Sequence, residues 1–157
     1  MSQFRFWILA FIGFALLGCT RGERQFKHYY EAIYQAECDY IEGKYEPLVA
    51  LAREESAIAN AEQYFKNGYK HGTFVHCRVY LICRRIKEAS LRNDLEEVER
   101  LTMSLEKLVA AEHYPLDPPY RVNGHIDRQE VIRSITEFDK KNLEMLKEAK
   151  AGRSVGK

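Results

Sequence analysis

The sequence lacks an excess of charge of either sign and has few residues of the types that build irregular loops. Its 157 residues include 24 lysines and arginines against 23 aspartates and glutamates, with only 4 cysteines, 4 prolines and 9 glycines. A nucleic-acid-binding domain normally carries a clear basic excess, so the balanced charge disfavours that class of protein. The length allows one ordinary domain with its own hydrophobic core.

The sequence also lacks the short motifs that mark catalytic and metal sites. It has no His-Glu-x-x-His or Glu-x-x-His pattern, no Cys-x-x-Cys pair and no glycine-rich phosphate loop. A Gly-x-Ser-x-Gly match occurs only at residues 152–156, in the last residues of the chain, and not between a predicted strand and a helix as a nucleophile elbow requires. His71 and His76 are separated by five positions, whereas two ligands on one helix face are three or four positions apart. We therefore predict a protein that is not an enzyme and that uses no metal ion or cofactor.

No apolar run reaches the roughly 20 residues that a membrane-spanning helix needs. The longest extends from Phe6 to Leu17, follows Arg5 and ends in Leu16-Leu17-Gly18-Cys19, after which the sequence turns polar. A positive start, a short apolar middle and a small-residue end are the features of a secretory signal peptide. The final four residues resemble the lipobox of bacterial lipoproteins.

In bacterial lipoproteins the signal peptide is removed before the cysteine, and lipid is attached to that cysteine. The resemblance implies a signal peptide over residues 1–18, lipidation of Cys19 and a short tether over residues 19–25. It also implies a cell-envelope protein held to a membrane by its lipid. In a bacterium with two membranes, the residue after the lipidated cysteine influences sorting. Here that residue is Thr20 rather than aspartate, which resembles lipoproteins sent to the outer membrane, facing the periplasm. Two alternatives remain open: an uncleaved membrane anchor, and cleavage by the ordinary signal peptidase, since Ala15 and Gly18 are small.

Beyond the apolar run, nonpolar residues recur at steps of three and four along five segments, and no segment shows the alternation of a strand. The third segment has the clearest pattern: Val75, Val79, Ile82, Ile86 and Ala89. We predict an all-α fold of about five helices in antiparallel hairpins, with a helical domain over residues 26–151 and a frayed tail over 152–157. Turns and caps are predicted, in chain order, at Gly43, Pro47, Asn67-Gly68, Asp94 with Glu97, and Asp127 with Glu130.

Two of the predicted turns look related, since residues 42–46 and 92–96 occupy equivalent places about fifty residues apart. The first turn, with Leu48 and Ala52 after it, is similar to the turn and second helix of a tetratricopeptide repeat. The spacing exceeds the 34 residues of that family, and Ala36 and Asp39 stand where it prefers glycine and tyrosine. A plain helical bundle accounts for the same pattern, so both interpretations remain open.

Charged side chains are expected mainly on solvated helix faces. Adjacent carboxylates such as Glu54 and Glu55 point about 100° apart on a helix and are predicted to be solvated rather than to form an acid–base pair. A basic third segment, with Arg84, Arg85 and Lys87, precedes an acidic fourth one. Cross-helix ion pairing between them is one interpretation. Contact of the basic face with anionic lipid headgroups is the other.

Four tyrosines are candidates for a partner-binding surface. Tyr30 and Tyr34 form an i, i+4 pair beside the apolar stripe of the first helix, and tyrosine is favoured at binding hot spots. Tyr114 and Tyr120 flank a proline-rich loop, and such pre-extended segments can dock on other proteins. The alternatives are core-edge packing for the first pair and a rigid strap to the fifth helix for the loop.

The cysteines leave the disulfide state open. After Cys19, the remaining thiols are Cys38, Cys77 and Cys83, and three thiols leave one unpaired. Cys77 and Cys83 would point about 120° apart on one helix, so they are not expected to bond to each other. Taken together, these features favour an envelope lipoprotein whose helical domain binds or scaffolds an unidentified envelope protein. The alternative is a tethered protein that binds a small molecule or a metal ion.

Overall fold

The computed structural model describes residues 21–65, 71–115, 120–122 and 125–154 of the chain, and its architecture is all-α. The five helices are α1 (Arg21–Ile41), α2 (Pro47–Tyr64), α3 (His71–Leu91), α4 (Leu95–Ala111) and α5 (Arg128–Ser154). The predicted fold class is therefore confirmed. The predicted signal peptide, Cys19 and the Asn67-Gly68 turn lie outside the described residues.

Helices α1 and α2 form one hairpin, helices α3 and α4 form another, and both hairpins turn in the same way. Gly43 has a φ of 64° and donates its N–H to the carbonyl of Tyr40, while Asn93 has a φ of 57° and donates to Ser90. In each turn the next N–H donates to a carbonyl five residues earlier, which satisfies the last carbonyls of the helix. Glycine and asparagine are the residues that adopt this left-handed conformation most readily. The two turns paired by the sequence thus have equivalent backbones.

Helix α3 lies at the centre, because it contributes to both hydrophobic clusters. One cluster joins it to the first hairpin through Ile33, Tyr40, Ala50, Leu51, Ile58, Ala61, Phe74 and Leu81. The other joins it to α4 and α5 through Val79, Ile82, Ile86, Ala89, Val98, Leu101, Leu105, Val109, Ile126 and Val131. All five residues of the predicted α3 stripe are buried. The prediction for this helix is confirmed.

Both predicted aspartate caps form. The Asp94 carboxylate accepts the N–H of Glu97 at 3.1 Å, and the Asp127 carboxylate accepts the N–H groups of Gln129 and Glu130 at 2.9 and 3.2 Å. Such caps satisfy N–H groups that have no partner within the helix. Between α4 and α5 the chain forms a short antiparallel pair, β1 (Arg121–Val122) and β2 (His125–Ile126), which the sequence pattern does not predict.

Some helix boundaries and orientations differ from the predictions. Helix α1 begins at Arg21, so residues 21–25, predicted as part of the tether, belong to it. Helix α5 continues to Ser154, into the predicted tail. Leu48 and Leu95 continue the apolar stripes of α2 and α4 at helical spacing, yet they are 52% and 70% exposed. Both leucines lie in the first turn of their helix, and the buried residues of each helix begin further along it, at Ala50 in α2 and at Val98 in α4.

Candidate functional site

The most buried polar feature is a charge cluster around Arg84 of α3, whose side chain is fully buried. Its guanidinium donates to carboxylates from three other helices. The Nη2 group lies 2.6 Å from Glu37 Oε1 in α1, Nη1 lies 3.0 Å from Glu54 Oε1 in α2, and both Nε and Nη2 contact Asp139 Oδ1 in α5 at 3.0 and 2.9 Å. The planar fork of arginine suits this arrangement, since its five N–H groups point in fixed directions.

A second layer of polar groups surrounds the cluster. Lys87 Nζ donates to Asp139 Oδ2 at 2.9 Å, and the hydroxyl of Tyr40 donates to Glu88 Oε1 at 2.6 Å. The cations of Arg84 and Lys87 also lie over the Tyr40 ring, at 5.5 and 4.9 Å from its centroid. These contacts tie α1 and α5 to the same stretch of α3.

Glu54 is the least satisfied member of the cluster. Its side chain is buried, and its Oε2 atom is the one buried side-chain atom without a hydrogen-bond partner among the described residues. Burial, together with the nearby carboxylates of Glu37 and Asp139, raises the pKa of Glu54 to about 7 against the opposing effect of Arg84. For Arg84, burial lowers the pKa, but the three carboxylates raise it more, so the guanidinium stays charged.

Sequence reasoning missed this cluster, because Glu54, Arg84 and Lys87 were assigned to solvated faces. A signal was present in α2: Leu51, Glu54, Ile58 and Ala61 follow one another at steps of three and four, and all four are buried. A carboxylate within such a stripe indicates a buried cation elsewhere in the chain. The sequence pattern does not indicate which cation is the partner.

The ion pairs of α3 also differ from the predicted pairing with α4. Arg85 Nη2 contacts Glu55 Oε2 of α2 at 2.7 Å, and Arg78 pairs with Glu62, which also belongs to α2. Within α4, Glu97 pairs with Arg100. In the described part of the chain, the basic side chains of α3 are thus paired with carboxylates of α1, α2 and α5.

The candidate tyrosines of α1 occupy two different surroundings. Tyr30 is partly buried and stacks on Phe26 with ring centroids 5.8 Å apart. Burial, together with Cys77 and Glu37, raises its pKa well above the usual range. Tyr34 is 49% exposed, and burial of its hydroxyl beside Cys38 raises its pKa to about 12. Of this pair, Tyr34 is therefore the residue that presents a ring to solvent.

Tyr114 and Tyr120 pack partly buried against the cluster formed by α3, α4 and α5. The Tyr114 hydroxyl lies 2.5 Å from Nδ1 of His76, and the His76 ring contacts the Tyr80 ring at 4.7 Å. These contacts hold the segment after α4 against α3, as expected of a strap. The residues between these two tyrosines, 116–119, lie outside the described part of the chain.

An open apolar groove runs between α1 and α2 on the side away from α3. Its volume is about 820 Å³, and four alanines line it, together with Leu48, Val49 and five polar residues: Ala32, Ala36, Ala52, Ala57, Gln35, Asp39, Arg53, Ser56 and Asn60. The side chains of Leu48 and Val49 are each 52% exposed. Because the inward stripe of α2 is used to contact α3, this second face of the hairpin has no covering element in the described structure.

The remaining candidate chemistry is sparse in the described residues. Cys38, Cys77 and Cys83 are free thiols, and burial raises the pKa of each, which disfavours the reactive thiolate. The described ranges contain no group of three His, Cys, Asp or Glu side chains placed to hold a metal ion. None of the described helices is both long and apolar enough to cross a membrane. Comparison with family models, curated proteins and solved structures found no match.

Proposed function

We propose that the protein is a bacterial envelope lipoprotein, anchored through Cys19, whose helical domain binds an amphipathic helix of another envelope protein in the α1–α2 groove. The groove is the observation that supports this function. It has a volume of about 820 Å³, its lining is mainly apolar, and the fold leaves it open. Apolar surface that the fold itself does not cover marks an interaction site more often than a lone exposed leucine does.

The side chains of the groove fit a helix better than a small ligand. Ala32, Ala36, Ala52 and Ala57 present only methyl groups, so the axis of a docked helix can approach to about 8 Å. Leu48 at the end of the groove provides a larger apolar contact that becomes buried on binding. Helix-in-groove recognition uses apolar anchors of this kind at steps of three and four.

The positive charge of Arg53 in the groove indicates that the partner helix carries a negative charge. Arg53 lines the groove with its guanidinium 4.4 Å from the Tyr45 ring centroid. Its charge helps to lower the pKa of Asp39, but it forms no close ion pair with a carboxylate in the described part of the chain. The other charged residue of the groove, Asp39, already accepts from Gln35 and Lys44 at 2.9 and 3.0 Å. A complementary helix therefore carries a carboxylate beside its apolar stripe, opposite Arg53.

Filling the groove is expected to abolish partner binding. A photoreactive side chain at Leu48, in cells with native membranes, should give one adduct whose crosslinked segment is an amphipathic helix with a carboxylate. Adding Ala52→Tyr should reduce that adduct at least tenfold, since an aromatic ring occupies the space of the docked helix. The yield and the crosslinked peptide are measured by mass spectrometry.

Ala59 provides the matched control, because it is exposed on α2 and does not line the groove. Ala59→Tyr should leave the Leu48 adduct unchanged. The proposal fails if the photoreactive group gives the same adduct from position 59, if the adduct survives Ala52→Tyr, or if the only adduct is a second copy of this chain.

The anchor is tested separately with Cys19→Ser. The variant should lose acylation and move from the membrane to the soluble fraction, since acyl chains stabilise membrane attachment by roughly 0.8 kcal/mol per buried methylene. Its helical domain should fold normally. Cys38→Ser, which alters a buried free thiol of α1, should remain lipidated and membrane-bound. Unchanged fractionation and unchanged lipid labelling of Cys19→Ser would contradict the anchor.

A further inference from the structure

The charge cluster of the four helices contains more negative than positive charge. Arg84 and Lys87 are its two cations, and Glu37, Glu54 and Asp139 are the three carboxylates in contact with them. If every group is ionised, one negative charge lacks a partner. Glu88, which accepts from Tyr40 and lies 3.9 Å from Lys87, adds to the excess. An uncompensated buried charge is costly, and proteins usually relieve that cost by binding a proton.

The geometry identifies the carboxylate that binds this proton. Both oxygens of Asp139 accept from cations, Oδ1 from Arg84 and Oδ2 from Lys87. The side chain of Glu37 is 24% exposed and retains contact with water, whereas that of Glu54 is 2% exposed. Glu54 Oε2 is buried and has no donor among the described residues. It is the oxygen at which a negative charge is least stabilised.

We propose that Glu54 binds a proton at Oε2 in the folded protein while Oε1 stays hydrogen-bonded to Arg84, so that proton uptake tightens the packing of the four helices in mildly acidic solution. The groups facing Glu54 are Arg84 and Cys77 from α3, Glu37 from α1 and Asp139 from α5. Because Glu54 shares its one cation, Arg84, with two other carboxylates and its Oε2 atom has no donor, a neutral carboxylic acid costs less free energy here than a buried carboxylate.

The sign of the pH dependence follows from the pKa of Glu54. Burial raises this pKa from 4.5 to about 7, so between these values the folded chain binds more protons at this site than the unfolded chain. The contribution of Glu54 to stability is therefore fully present below about pH 4.5 and is lost as the pH rises through about 7.

The test compares the full chain in nonionic detergent with its Glu54→Gln variant by urea unfolding. Glutamine keeps the acceptor for Arg84 but cannot titrate. The unfolding equilibrium constant of the native chain, divided by that of Glu54→Gln, should rise on the order of tenfold to a hundredfold between about pH 5 and pH 8. His76, whose pKa is lowered by burial, is present in both chains, and its own titration cancels from the ratio.

Glu55→Gln is the matched control, because Glu55 is the adjacent carboxylate and pairs with Arg85 near the surface. The unfolding equilibrium constant of the native chain, divided by that of Glu55→Gln, should stay constant across the same pH range. As a second readout, the infrared spectrum of the folded native chain at about pH 6 should show the carbonyl band of one protonated carboxylic acid, which disappears at about pH 9. The proposal is overturned if the ratio of unfolding constants for Glu54→Gln does not change with pH. If that variant does not fold, the absence of the carboxylic acid band from the native chain at pH 6 overturns it instead.

Discussion

Replacing Arg84 with methionine is expected to lower the free energy of unfolding by about 3–5 kcal/mol. The guanidinium is fully buried and is the cation shared by Glu37, Glu54 and Asp139. Methionine fills much of the volume but leaves these carboxylates facing one another without the charge that holds them. Because they come from α1, α2 and α5, their repulsion acts on three helix contacts at once. The loss is measured by chemical denaturation followed by circular dichroism.

Two variants show whether charge or geometry is responsible. Arg84→Lys keeps the charge, but one ammonium cannot reproduce the directed contacts of the guanidinium, so we expect a smaller loss than for methionine. Arg92→Met changes an exposed arginine in the turn after α3 and should alter stability by no more than about 0.5 kcal/mol. A loss for Arg84→Met no larger than that for Arg92→Met would show that the cluster does not stabilise the fold.

Replacing Phe74 with alanine is expected to destabilise the chain by about 3–5 kcal/mol. Phe74 is fully buried near the start of α3, and its ring lies 5.8 Å from that of Phe26 and 5.4 Å from that of Phe65. These rings belong to α1 and to the end of α2, so Phe74 holds the first hairpin against α3. Removing the ring lowers the stability in two ways. The hydrophobic free energy of burying the ring is lost, and a cavity remains between three helices. Thermal and urea unfolding measure the loss.

Tyr64 offers the control for Phe74, because it belongs to the same aromatic group but is 52% exposed. Tyr64→Ala removes a comparable ring without creating a closed cavity, and we expect a cost of about 1 kcal/mol. Phe74→Leu should fall between the two, since it keeps most of the apolar volume. Equal losses for Phe74→Ala and Tyr64→Ala would contradict the packing described for α3.

The helices could be predicted because their signals are local. The α3 stripe from Val75 to Ala89 repeats at the helical period, and the Asp94 and Asp127 caps depend only on residues two or three positions away. Gly43 marks a turn by its own backbone preference. Each of these features is decided within one or two turns of helix, so neighbours distant in sequence were not needed.

The candidate site could not be predicted in the same way, because it depends on distant contacts. Arg84 and Arg85 are adjacent basic residues, yet one is fully buried and the other pairs near the surface. The difference arises from Asp139, fifty-five positions from Arg84, and no local pattern reports such a partner. The groove could not be predicted for a similar reason, since Leu48 continues the apolar stripe of α2 in the sequence and its exposure depends on where α3 packs.

The cluster around Arg84 also bears on how the chain comes apart. In a linear array of hairpins each unit contacts only its neighbours, and the terminal units can unfold by themselves. Here Arg84 contacts both Glu37 near the start of the domain and Asp139 near its end, and Glu42 meets Lys150 at 2.5 Å. Opening either terminal helix breaks contacts that the other helix needs. The four helices that meet at Arg84 (α1, α2, α3 and α5) are therefore expected to unfold as one cooperative unit, so that opening of either terminal helix is coupled to global unfolding.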